Sequence, residues 1–318
     1  AFNIQGTGTT LQSLRIIDGA SILGQDTTVY VGAANVTLNN LDLEKVDAPQ
    51  SVAGGTFRGV ITETADAANL MIDGVNATGF ATGIYFNPGA SNSTVINSEL
   101  VNNFVGMSID GSDGVTLTDN VFNGNLEDLG LGPVFQSLTA TGNDFVNGVI
   151  GNFTGVVVSF GPNEFAGVEY NSLQIGSAND DSLMGTALND YVDGGAAIDT
   201  LTYAIDVEVA DFAFDDMNGF TLTTADGVDV VRNVEVVVGA NETYLIVGSG
   251  GFATIQDAVA AAEDGQTIVV TQGNYSGTVT IDSELNDVTI IGVGNVVLDG
   301  AFNIQGTGTT LQSLRIID

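Results

Sequence analysis

Three aspartates, Asp181, Asp190 and Asp199, recur at intervals of nine residues, and each stands five places after a glycine, Gly176, Gly185 or Gly194. Asn179, Asp180, Asn189 and Gly195 lie among them, and an aliphatic residue follows two places after each aspartate: Leu183, Val192 and Leu201. Glycine lets the backbone turn its carbonyls inward, aspartate adds formal charge, and the aliphatic residue anchors a short strand in a core. The chain contains no Cys and no His, so thiolate zinc sites, disulfides, cysteine nucleophiles and imidazole bases are all absent. Any metal held here is hard and oxygen-ligated, which means calcium before anything else.

Cut at nine residues, the stretch 176–202 gives three nonamers that open on glycine, carry aspartate sixth and an aliphatic residue eighth. This resembles the RTX nonapeptide G-G-x-G-x-D-x-U-x. The resemblance implies a parallel β-roll whose turns bind Ca2+, with Gly176, Asn179, Asp180, Asp181, Gly185, Asn189, Asp190, Gly194, Gly195 and Asp199 as the candidate metal-site residues. Two nonamers complete one turn of such a roll, which places Asp181 and Asp199 in adjacent turns. The second glycine survives only at Gly195, and the fourth position holds Asn179, Leu188 and Ala197. A calcium-binding roll and a roll that keeps its turns without the ion are therefore both open readings.

The elements around this motif read as β. With 42 Gly, four Pro and many Asn, Thr, Val and Ile, the composition is that of an all-β chain with tight turns. Short apolar runs start at Val95, Leu117 and Ala140, 22 and 23 residues apart, and the same frame reaches back to Leu38 and Leu11. A second series, at Gly83 and Gly106, keeps step with it. Two strand series locked to one period predict a solenoid, in which each coil bonds to those above and below. Like residues should then stack, so Phe80, Phe104, Phe122 and Phe145 are expected to form one internal ladder, with Asn97, Asn120 and Asn143 at or near left-handed turns. The interval from Leu43 to Leu70, with Pro49 and Gly54-Gly55, breaks the period and reads as an inserted loop holding Arg58. Lys45 is placed in a loop as well.

Near the other end, Thr254 can cap a short helix whose apolar positions Ile255, Ala258, Val259 and Ala262 share one face, and Gly265 stops it. The stretch Phe252 to Val259, followed by Gly265 to Val270 and Gly273-Asn274-Tyr275, resembles the entry to right-handed parallel β-helices of the pectin-lyase-like superfamily. There the helix covers the first coil. The frame Ile268, Ile290, Leu311 continues the series. Residues 1–18, AFNIQGTGTTLQSLRIID, return unchanged as residues 301–318. The chain thus reads as one 300-residue period and the start of the next, either covalent tandem repeats or protomers stacking head to tail. The expected fold class is all-β: a right-handed parallel β-helix with a short N-terminal capping helix, followed by an RTX-like parallel β-roll. The parts are residues 1–168 as middle and last coils, 169–244 as roll and following strands, and 245–318 as capping helix and first coils of the next β-helix.

Charge narrows the function. Thirty-nine acidic residues against five basic ones give a net charge of −34, which repels nucleic acid and anionic lipid and attracts cations. No apolar run approaches the roughly 18 residues of a membrane span, so neither nucleic acid binding nor membrane insertion is expected. Polysaccharide lyases, epimerases and hydrolases occur among β-helices, but proton abstraction beside a carboxylate has no His here, and a chance pair of acids is easy to find among 39. The chain is read as non-catalytic. The leading expectation is a structural repeat of an extracellular or cell-surface filament or giant surface protein, whose partners are other copies of itself. By the RTX resemblance it would be calcium-stabilised and type I secreted. An adhesin-type module binding glycan, including extracellular polysaccharide, is the alternative, and a polysaccharide-active enzyme comes third.

Overall fold

The structure is a computed structural model and describes residues 2–18, 27–46, 57–62, 67–134, 137–216 and 219–317. The chain is nearly all β, a parallel β-solenoid of about 12 turns with one short helix. Its residues divide into two compact units, 1–155 with 159–173, and 156–158 with 174–318.

In the first unit one seven-stranded sheet stacks Phe2–Ile4, Thr27–Val31, Arg58–Thr62, Thr82–Phe86, Val105–Ile109, Glu127–Leu131 and Ile150–Asn152 in chain order. Val29, Val60, Ile84, Met107 and Leu129 point inward in register and are fully buried. The second series pairs Leu11 with Leu38, Leu38 with Ile72, Ile72 with Val95, Val95 with Leu117 and Leu117 with Ala140. The 22- to 23-residue frame is therefore the coil repeat. In the same sheet a further parallel run, through Ala77, Leu100, Phe122 and Phe145 to Phe165, ends in a tight antiparallel hairpin of Asn163–Phe165 against Val168–Tyr170.

Stacking also forces turn residues into columns. Ser13, Asn40, Asn97 and Asp119 adopt left-handed φ values of 54, 51, 50 and 54°, and Gly74 and Gly142 complete the column at 65 and 68°. Short polar side chains and glycine tolerate that conformation best. Asn120 and Asn143 stand one place further along, inside the coil, between Ser98 and Asn163. The Asn143 side-chain oxygen accepts from Asn120 N and Nδ2 at 3.1 and 2.9 Å, and its Nδ2 donates to the Leu117 carbonyl and Asn163 Oδ1, both at 3.0 Å. Asn97 therefore belongs to the turn column, whereas Asn120 and Asn143 belong to a buried amide ladder.

The phenylalanine ladder also differs from expectation. Phe122 stacks on Phe145 with ring centres 4.9 Å apart, and Phe145 meets Phe165 at 6.5 Å. Phe80 lies beside Asn103, which accepts its N–H at 2.9 Å, and Phe104 is only half-buried. The rank below Phe122 is filled by Leu100 instead. The interval from Leu43 to Leu70 is not simply an inserted loop. Arg58–Thr62 is a strand paired on both sides, while Pro49, Gly54 and Gly55 lie outside the described residues. Lys45 is likewise no loop residue. It closes the strand Thr37–Lys45 with its ammonium 3.4 Å from Asp18 and 4.7 Å from the centre of the Phe57 ring. A cation with both partners can be buried, which composition alone does not reveal.

In the second unit a seven-stranded sheet runs Ser182–Met184, Thr200–Thr202, Val236–Val238, Thr243–Val247, Thr267–Val270, Thr289–Gly292, Thr310–Gln312. All its steps are parallel except Val236–Val238 against Thr243–Val247. The helix Ile255–Ala261 is capped by Thr254, whose hydroxyl accepts from Asp257 N at 3.0 Å, and it buries Ile255, Ala258 and Val259. Those side chains join Leu245, Val247, Ile268, Val270, Val279 and Ile281 in one core. Ile268, Ile290 and Leu311 stack as the frame predicts. Among the described residues no helix is long and apolar enough to cross a membrane.

The amide ladder supplies a test. Asn143→Ala leaves several buried donors and acceptors unpaired and should destabilise the chain by roughly 3 kcal/mol in urea unfolding, whereas Asn147→Ala, at an exposed amide outside the ladder that bonds Gly124 N and the Asn125 carbonyl, should cost less than about 1 kcal/mol. Equal losses would contradict the ladder's role.

Candidate metal centre

The nine-residue frame folds as two stacked series. Leu183 lies opposite Leu201, and Leu201 opposite Val237, so the eighth-position residues do form a core column. Leu183, Val192 and Leu201 are all buried. Asp181 and Asp199 occupy adjacent turns, with Asp181 N donating to Asp199 Oδ1 at 2.7 Å. The glycines make this close approach possible. A methyl group on Gly176 would collide with the Gly194 carbonyl oxygen, and one on Gly194 with the Asn233 carbonyl oxygen.

Each acid column continues past the nonamers. Asp199 N donates to Glu235 Oε2 at 2.8 Å, so the first column reads Asp181, Asp199, Glu235. Asp190 N donates to Asp229 Oδ1 at 2.8 Å, and the Tyr203 hydroxyl donates to Asp229 Oδ2 at 2.7 Å, so the second reads Asp190, Asp229. The sequence reading missed Glu235 and Asp229. An inserted pair of strands, Phe212–Asp216 and Gly219–Thr223, stretches the spacing and hides them from a nine-residue rule. The signal present was an acid two places after a turn residue, as in Gly227-Val228-Asp229 and Asn233-Val234-Glu235.

The carboxylates differ in what already satisfies them. Asp181 Oδ2 accepts from Ser177 N at 2.5 Å, and Asp190 accepts from Thr186 N and its hydroxyl at 2.6 and 2.7 Å. Asp180 Oδ1 accepts from Ile198 N at 3.0 Å, Asn189 Oδ1 from Val228 N at 3.0 Å, and Asn179 N donates to the Ser177 hydroxyl at 3.2 Å. Gly176, Gly185 and Gly194 donate their N–H groups to the next turn, and Gly195, at φ 97°, donates to Asp193. Asp199 stands apart: it is fully buried and its Oδ2 has no hydrogen-bond partner.

Burial pushes the Asp199 carboxyl up to about 7, and repulsion from Glu235, Asp181 and Asp180 adds to the shift. Burial likewise lifts Asp229 to about 6 and raises Glu235. An open cleft of about 580 Å³ beside Glu235, lined in part by Ile198, Phe252 and Asp257, gives this rung an approach from solvent. A buried carboxylate oxygen without a donor is a group that a hard cation would satisfy. Among the described residues, however, no three acids converge as a ready-made cage, so backbone carbonyls would have to supply the remaining ligands.

The turns carry backbone strain. Leu188 and Ala197, which stand fourth in their nonamers where the RTX pattern has glycine, adopt φ values of 141 and 86°.

A second polar cluster lies on the seven-stranded sheet of the first unit. The Arg58 guanidinium sits 4.3 Å from the Tyr85 ring centre, with its Nε buried and unbonded. Burial raises the Tyr85 hydroxyl, and the charge of Asp110, whose Oδ1 is buried without a partner, adds to the shift; burial also raises the Glu127 carboxyl on the same sheet. Comparison with known proteins adds no name to either cluster: no family model, curated protein or solved structure matches this chain.

Two outcomes follow for the turns. Ala197→Gly should raise stability by up to about 1 kcal/mol, because relief of the left-handed penalty exceeds the extra chain entropy; calorimetry on the pair of proteins decides it. The raised carboxyls set a pH dependence. Without a divalent cation the folded chain holds protons that the unfolded chain has lost, so the stability from Asp199 and Asp229 is full below about pH 4 and declines as pH rises through 6 to 7. In EGTA the urea midpoint should be lower at pH 8 than at pH 5, and Asp199→Asn should flatten the difference.

Proposed function

We propose that this chain is a structural repeat of an extracellular, calcium-stabilised filament, fibre or giant surface protein, built head to tail as stacked protomers or covalent tandem repeats. One observation carries this reading: the 18-residue segment that recurs at Ala1 and Ala301 forms a solenoid coil at both places, joined to the following coil in one case and to the preceding coil in the other. Such a segment belongs inside a periodic stack. The RTX-like turns would hold Ca2+ chiefly at Asp199, with Asp181 and Glu235 above and below it, and the second column would offer Asp190 and Asp229. Bound calcium would neutralise like charges that stacking forces together. The net charge of −34, the resemblance of the nonamers to exported RTX proteins and the resemblance of the cap to pectin-lyase-like β-helices support an extracellular, type I secreted, non-catalytic rod.

A binding module is the second reading, favoured by the Arg58, Tyr85 and Asp110 cluster, which offers a cation, an aromatic ring and a carboxylate to a glycan. Retention on immobilised polysaccharide that Arg58→Ala abolishes would promote it.

The leading reading is tested with calcium. Melting in 5–10 mM calcium should occur at a higher temperature than in EGTA, since that range is roughly 5 to 100 Kd for extracellular sites and hence worth about 1 to 3 kcal/mol. Electron micrographs should show fibres with a regular axial repeat. Indifference to EGTA together with isolated particles would sink the proposal.

A further inference from the structure

The two copies of AFNIQGTGTTLQSLRIID repeat their left-handed turns and use opposite edges. Ser13 and Ser313 are left-handed at φ 54 and 58°, and Gly8 and Gly308 at 74 and 70°. Phe2–Ile4 pairs with Thr27–Val31, and Thr10–Asp18 pairs with Thr37–Lys45. In the second copy Phe302–Ile304 pairs with Val279–Ile281, Thr310–Gln312 with Thr289–Gly292, and Arg315–Ile317 with Val296–Asp299. Among the described residues, the edge that one copy pairs is left unpaired in the other. Apolar side chains stand at these open edges: Ile17 is 56% exposed, Ile304 42% and Ile316 47%.

Charge repeats the asymmetry. Arg15 bridges Asp42 and Glu44 of the next coil at 3.0 and 2.9 Å. Its counterpart Arg315 makes no ion pair among the described residues, in a chain that has five basic groups in all.

We propose that residues 301–318 of one copy dock on residues 27–45 of a second copy, in the place that the second copy's own residues 1–18 occupy. This rests on the periodic-stack reading and names the partner and the register. Phe302, Asn303 and Ile304 pair with Val29, Tyr30 and Val31 of the second copy. Leu311 meets Leu38, Ile316 meets Leu43, and Arg315 lies between Asp42 and Glu44. Side-chain identity throughout the segment means that the docked coil makes every contact its predecessor made. In a covalent array one such coil serves both neighbours. Between separate chains the same fit operates by exchange: the incoming 301–318 displaces the resident 1–18, which is left free.

Exchange makes one substitution act in opposite directions at two identical sequences. Arg15→Glu weakens the resident coil and should raise self-association of the full 318-residue chain several-fold in sedimentation velocity. Arg315→Glu weakens the incoming coil and should lower it by a similar factor. A synthetic 18-residue peptide of the repeat, in excess, should cap the wild-type chain and reduce association, while the same peptide with its arginine replaced by glutamate should not. The peptide arm decides the matter if either variant fails to fold. Identical association of wild type, Arg15→Glu and Arg315→Glu with no peptide effect, or monomers in every case, would overturn the docking. Calcium-dependent melting with symmetric variants would remove this inference and leave the calcium-rod reading intact; asymmetric variants with melting indifferent to EGTA would do the reverse.

Discussion

Everything in this chain depends on one backbone requirement: each coil satisfies its N–H and C=O groups on the coils above and below it. A side chain is therefore never free to choose its neighbours along the stack. Leucine meets leucine at Leu183 and Leu201, and the turn column at Ser13, Asn40, Asn97 and Asp119 repeats one left-handed conformation. Where a polar side chain enters the interior it must be answered by another, and the Asn120–Asn143–Asn163 ladder meets that demand with amides that both donate and accept.

The same requirement is hard on charge. Strands sit about 4.8 Å apart, so acids that fall in one rank face each other at that spacing. The chain answers this in two ways. Arg15 sits between Asp42 and Glu44, and Lys45 is buried against Asp18. Asp181 and Asp190 fold back onto the N–H groups of their own turns. Asp199 has neither remedy for Oδ2, and the rise of its carboxyl records the strain of a buried anion among anions. Five basic residues cannot pair with 39 acids.

The coil repeat was legible because stacking writes itself into spacing. Ile268, Ile290 and Leu311 can be aligned by eye, and they do stack. Reading which residues share a rank was less secure. A frame set from Phe80 and Phe104 misses Phe122, because those two stand after Ala77 and Leu100, the residues that share the rank of Phe122. The capping helix was readable from Thr254 and its apolar face. Lys45 and Arg58 were misplaced since neighbouring Glu, Asp, Pro and Gly suggest a loop, while their actual partners, Asp18, Phe57 and Tyr85, are set by the stack and not by local sequence. Glu235 and Asp229 escaped for a related reason: the inserted strands move them 36 and 39 residues from the acids they continue, beyond any short motif.

The antiparallel step between Val236–Val238 and Thr243–Val247, the one such step in its seven-stranded sheet, has a kinetic consequence. A uniform parallel stack is built from contacts a full coil apart and has high contact order, so it nucleates slowly, and a slip of one coil can propagate along it. The hairpin at 236–247 closes locally over a few residues and admits one register. Such a hairpin supplies a fast local nucleus and fixes the register of the coils that stack on it.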